Sequence, residues 1–167
     1  GYNLPSLSGL PATRPIPPEA ISLVARVINP MILAGSRIHE LALRTVLEHG
    51  VCLATDREGP TQAWRSLVSP DDVIGVKFDP VGADKLETTA PLARQLIHSL
   101  ESAGFDRQQV VLIDGPRDLT DELKTRPRKF GWRTQTAALG QERTGKLATV
   151  LDQITALINV PFLKTDR

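Results

Sequence analysis

Lys77 and Asp79 stand two residues apart at the end of a markedly apolar run, Val73-Ile74-Gly75-Val76-Lys77-Phe78. On a β-strand that spacing puts both side chains on one face, roughly 6–7 Å apart. A lysine inside an apolar strand is costly to bury alone. It must reach out at an edge or pair with a carboxylate such as Asp79 or Asp114. A second run, Val110-Val111-Leu112-Ile113, ends in Asp114-Gly115-Pro116, with Arg117 close behind. A third, Ala156-Leu157-Ile158-Asn159-Val160, is followed by Lys164 and Asp166. Open α/β sheets bind ligands at the carboxyl ends of their strands. If these strands are neighbours, the polar groups converge there. Lys77, Lys164 and Arg117, with Asp79 and Asn159, would then hold a small anionic molecule. Asp79, Asp114 and Asp166, helped by Asn159, would suit a hard divalent cation such as magnesium. Lys77, Asp114 and Lys164 are the candidates for catalytic roles, with the carboxylates as acid or base groups. The plainer alternative is that Asp and Asn after strands bond their own backbone, and Asp-Gly-Pro is a turn signal in its own right.

The elements that must position these residues read as alternating strands and helices. Residues 73–78 are almost continuously apolar, as expected for a strand with both faces covered. The clearest helix spans 89–103, with Leu92, Leu96, Ile97, Leu100 and Ala103 in one stripe, Pro91 in its first turn and Gly104 at its end. Val110–Ile113 is the next strand. Strand, helix and strand make a βαβ unit with parallel strands and a right-handed crossover. Ala156–Val160 is the last strand. Upstream, residues 21–28 are rich in β-formers and close at Asn29-Pro30. Residues 37–47 have helical character with Gly50 as the expected stop, which would leave His49 near the helix end and Cys52 beyond it. Residues 61–68 form a short helix carrying a core Trp64, followed by a turn at 69–72. Beyond Asp114 the expectation is one helix at Leu119–Leu123, irregular chain, then a short strand or helical turn over 147–151. The fold class is α/β, a mainly parallel sheet flanked by helices.

Composition narrows the chemistry. With 41% hydrophobic and 23% charged residues the composition is that expected of a soluble globular protein, and a net charge of +1 gives no global attraction for nucleic acid. The one cysteine, Cys52, excludes an internal disulfide, an iron–sulfur cluster or a zinc–thiolate site built from these residues alone. His39, His49 and His98 are not at metal-ligand spacing with one another, and His98 falls on the polar face of its helix. No apolar run approaches the roughly 18 residues of a membrane span. Residues 140–147 resemble a phosphate-binding loop, but Leu147 stands where Ser or Thr is required. The run 124–133 interleaves Lys124, Arg126, Arg128, Lys129 and Arg133 with Phe130 and Trp132. Nucleic-acid binding there would demand a steep loss of affinity with salt, and a solvated loop anchored by its aromatics is the reading preferred.

Several of these segments together resemble a bacterial family, catalogued as domain of unknown function 362. Asp72-Val73-Ile74-Gly75-Val76-Lys77-Phe78-Asp79 is similar to its D-x-V-G-I-K-x-N opening, and Asn159-Val160-Pro161-Phe162-Leu163-Lys164 to its N-x-P-x-L-K motif. Ala63-Trp64-Arg65 resembles an upstream A-W-R segment, and Thr89-Ala90-Pro91 and Leu100-Glu101-Ser102-Ala103-Gly104 fall in the expected order. The resemblance covers roughly residues 20–167. Asp79 replaces the family's usual Asn and Asp166 its common His, so a histidine-based role does not carry over. The family has no single established activity; the resemblance implies a fold and site positions.

The expected organisation is a proline-rich arm over 1–19, with Pro5, Pro11, Pro15, Pro17 and Pro18, and an α/β domain over 20–167 that continues past its C-terminus. A start at Gly1 is what removal of a signal peptide or a tag would leave, compatible with a cytoplasmic or an exported protein. Two functions are carried forward. The first is an anion-binding, metal-assisted site at the strand ends. The second is a non-catalytic subunit or binding module, whose partner is another protein or the remainder of its own chain.

Overall fold

A computed structural model of the chain describes residues 23–35, 37–79, 87–116, 118–128, 134–138 and 144–162. Its centre is a three-stranded parallel sheet of β3 (Ile74–Phe78), β4 (Val110–Ile113) and β7 (Ala156–Val160), in spatial order β4-β3-β7. The expected βαβ unit is therefore present, with α3 (Thr89–Ser102) between β3 and β4. Gly104 follows that helix at φ +97°, a left-handed conformation that costs glycine little. The last strand joins the other side of β3, with Ile74 opposite Ala156 and Lys77 opposite Asn159.

The two faces of the sheet are packed differently. Ile74, Val76, Phe78, Val110 and Leu112 form the main core with Leu96, Ile97 and Leu100 of α3. Leu119 and Leu123 of α4 (Leu119–Leu123) and Trp64 of α2 (Pro60–Leu67) close it. The indole of Trp64 is buried and donates to Ser99 Oγ at 2.8 Å, which satisfies two polar groups inside the core at once. On the opposite face Val111 and Ile113 pack against Val150 and Ile154, around the 3₁₀ turn Thr149–Gln153.

A polar knot fixes the amino end of the sheet. Thr155 Oγ1 donates to Asp72 Oδ1 at 2.6 Å and accepts the Val73 N–H at 2.9 Å, while Asp72 Oδ2 accepts the Ser69 N–H at 2.7 Å. Asp72 precedes β3 and Thr155 precedes β7. Their bond sets the register of those two strands before either begins.

Several expectations need correction. The β-rich run at 21–28 makes no ladder among its described residues; Ala25 and Val27 instead line a shallow pocket together with Val46, Gly50 and Ala54 of α1 (Glu40–Thr55), with Val27 beside Gly50. The alternation of side chains is real, but it meets a helix face and not a strand edge. Gly50 does not stop α1. The space beside it is filled by Val27, and the helix runs on to a left-handed Asp56 at φ 53°. His49 and Cys52 therefore lie within the helix, neither at nor beyond its end. His39 caps that helix, its Nδ1 accepting the Ala42 N–H at 3.1 Å. The chain after α4 is less irregular than expected. β5 (Thr134–Ala138) and β6 (Thr144–Ala148) pair antiparallel, and a two-residue hairpin, β1 (Leu33–Ala34) with β2 (Arg37–Ile38), precedes α1. Gly145, Lys146 and Leu147 sit on β6, so they do not open a helix as a phosphate loop would. The proline-rich arm lies outside the described residues. Among the described residues no helix is long and apolar enough to cross a membrane.

One ion pair gives the fold an acid-sensitive joint. Arg107 donates two N–H bonds to the Glu101 carboxylate, one of them at 2.8 Å, and ties the end of α3 to the turn before β4. Hydrogen bonding from Arg107 holds the Glu101 carboxyl below its ordinary 4.5. A lowered carboxyl adds stability above its unfolded value and loses it as pH falls through the folded one. Urea midpoints measured from pH 6 down to 3 should therefore fall, and Arg107→Met should flatten that fall. Parallel slopes for the two proteins would show that the pair contributes nothing.

Candidate functional site

The strand order β4-β3-β7, in chain order second, first, third, contains a topological switch point between β3 and β7. The connection from β3 to β4 and the connection from β4 to β7 run in opposite directions across the sheet, and the crevice beyond the carboxyl ends of such strands is where α/β sheets bind ligands. Lys77 and Asn159 are direct neighbours across this boundary, on the face that carries Gly75, Val111 and Ile113. Adjacent parallel strands lie about 4.8 Å apart, so the two side chains leave the sheet side by side. Lys77 is half-buried and its Nζ donates to the Phe78 carbonyl at 3.3 Å; Asn159 is exposed. Asp79 follows directly and is half-buried.

Asp114 completes the group at the end of β4. It adopts φ 58°, a left-handed backbone that non-glycine residues seldom take, and its side chain is only 11% exposed. A carboxylate so covered needs a cation, and Arg128 Nη1 lies 3.6 Å from it. Residue 126 is laid alongside β4, its N–H donating to the Val110 carbonyl at 2.8 Å, with Val111 and Arg126 bridged in parallel. The parallel direction carries the chain two residues on to the carboxyl end, where Arg128 meets Asp114. Gly115 then turns over the ring of Phe78, where an added Cβ would sit 3.4 Å from the ring. Asp114 is thus a turn residue and one half of an ion pair at once.

The residues chosen from sequence divide accordingly. Lys77, Asp79, Asp114 and Asn159 are brought to one end of the sheet. Arg117, Lys164 and Asp166 lie outside the described residues, as do Lys129, Phe130, Trp132 and Arg133 of the basic run. Arg128 was missed as a site residue, because its role comes from a long-range bridge and not from any local spacing. Among the described residues no three His, Cys, Asp or Glu side chains group closely enough to hold a metal ion. Asp79 and Asp114 with Asn159 are the described part of the cation site expected above.

No family model, curated protein or solved structure matches this chain.

An apolar groove lies elsewhere. A groove of about 680 Å³ runs along the outer edge of β7, walled by Leu47, Val51, Trp64, Leu67, Leu92 and Leu96. Asn159 alone belongs to both places, its side chain beside Lys77 and its backbone on the groove.

Proposed function

We propose that the carboxyl end of the sheet binds a small anionic molecule, with Lys77 supplying the positive charge and Asn159 a neighbouring hydrogen-bonding group. The observation that carries this reading is the register that sets Lys77 against Asn159 at the switch point. Asp79 and Asp114 are the acid/base or cation-binding groups in this proposal, and Arg117, Lys164 and Asp166 its outer members. Asp79, Asp114 and Asp166 would hold a divalent cation in this proposal, which would supply positive charge beside the anion. The likeness to the domain of unknown function 362 family is part of the same proposal and adds no reaction to it.

The test is calorimetric titration of the whole chain with inorganic phosphate and with citrate, each with and without magnesium. Losing a hydrogen bond to a charged group costs about 1.5–3 kcal/mol. Lys77→Met should therefore weaken anion binding about 10- to 100-fold and leave the urea midpoint nearly unchanged. Equal affinity for the variant and the parent would remove Lys77 from the site and end this reading. A second reading, a non-catalytic subunit or binding module, is favoured by one specific feature, an edge of β7 that has no partner among the described residues and lies beside an apolar groove.

A further inference from the structure

The outer edge of β7 has no partner strand among the described residues. The Ala156 N–H donates to the Val73 carbonyl at 3.2 Å, so Ala156, Ile158 and Val160 direct their backbone groups toward β3. By alternation, the N–H and C=O groups of Leu157 and Asn159 face outward. Natural edges are blunted with lysine, proline, bulges or inward-pointing charge. Between residues 156 and 160 β7 carries none of these charges and no proline; Pro161 follows immediately and ends the row of donors. Leu47, Val51 and Leu67 line the groove together with β7, and Leu67 is 58% exposed, with no strand beside it among the described residues.

We infer that the groove accepts a fourth β-strand, supplied as an extended, uncharged segment of another polypeptide with apolar side chains at alternate positions. This rests on the second reading above, that the chain works as a binding module, and not on the anion site. The two outward N–H and C=O pairs require an extended backbone, which neither a helix nor a small apolar molecule would satisfy. Every second side chain of such a strand would point into the groove, against Leu47, Val51 and Leu67. The one charged residue on the wall is Asp72, and both its carboxylate oxygens are already taken by Ser69 and Thr155. The groove therefore asks for no counter-charge.

The experiment is amide hydrogen exchange, read by NMR on the whole chain, with a capped nine-residue peptide of alternating threonine and valine. Exchange at Leu157 and Asn159 should slow at least tenfold. The same peptide with aspartate at the valine positions should have no effect, and nor should one N-methylated along its pairing edge. Leu67→Asp, at an exposed position that leaves the core intact, should abolish the protection. Lys77→Met should leave it unchanged, which separates this surface from the anion site. Unaltered exchange with the threonine–valine peptide would overturn the inference. So would a peptide-free chain that sediments as a dimer with Leu157 and Asn159 already protected, because a second copy would then be the occupant.

Discussion

Phe78→Ala should cost about 3–5 kcal/mol of folding stability, the range for deleting a buried aromatic ring. Phe78 is fully buried at the carboxyl end of β3, in the core formed with α3 and α4. Because the site is fully buried, a cavity contribution should add to the lost transfer energy. Its ring also lies under Gly115, so its loss removes the floor of the turn that holds Asp114. The expected result is a thermal midpoint lower by about 10 °C, with part of the anion affinity lost even at temperatures where the variant is folded. A variant within 1 kcal/mol of the parent would mean that the ring is not the keystone its burial indicates.

Gly75→Val should be nearly as damaging, for the opposite reason. Gly75 is the second residue of β3, on the face opposite the main core, and a Cβ there would fall 2.6 Å from Ile154 Cδ1, 3.1 Å from Ile154 Cγ2 and 3.2 Å from Ile113 Cδ1. The Cδ1 atoms end flexible side chains, but Ile154 Cγ2 is held close to its backbone and cannot swing away as they can. Overfilling of this kind costs about 1–3 kcal/mol. Ile154 stands two residues before β7, so the strain should loosen β7 rather than β4. Urea unfolding of Gly75→Val and of Gly75→Val with Ile154→Ala distinguishes the cause, since the second change should return much of the lost stability. No recovery would place the cost elsewhere.

The sheet was legible from sequence because its strands are short and bounded by turn residues. Ile74–Phe78, Val110–Ile113 and Ala156–Val160 each stand out as apolar runs, and α3 stands out by its stripe. The hairpin of Thr134–Ala138 with Thr144–Ala148 was not legible. Thr, Gln, Ala, Gly and Lys give those segments neither an apolar run nor a clean alternation, and each becomes a strand only through the other. The run at 21–28 failed in the reverse sense, strand-like in composition but packed on a helix. At the site, Lys77 drew notice because a lysine in an apolar strand is anomalous, and Asn159 because it breaks the last apolar run. Their adjacency needed the register. Arg128 could not be found locally, since the bridge that brings it to Asp114 joins segments that no spacing rule connects.

The bond between Thr155 and Asp72 links residues 83 apart in the chain. The β3–α3–β4 unit, by contrast, closes over a short stretch of sequence. Loop-closure entropy makes the distant partner the later arrival, and contacts of large sequence separation slow folding. A chain emerging from synthesis can therefore build β3, α3 and β4 while Lys77 still lacks Asn159. The proposed anion site and the open edge then appear together, in the single step that docks β7. Cleavage anywhere between β4 and β7 would put both at risk and spare the unit that formed first.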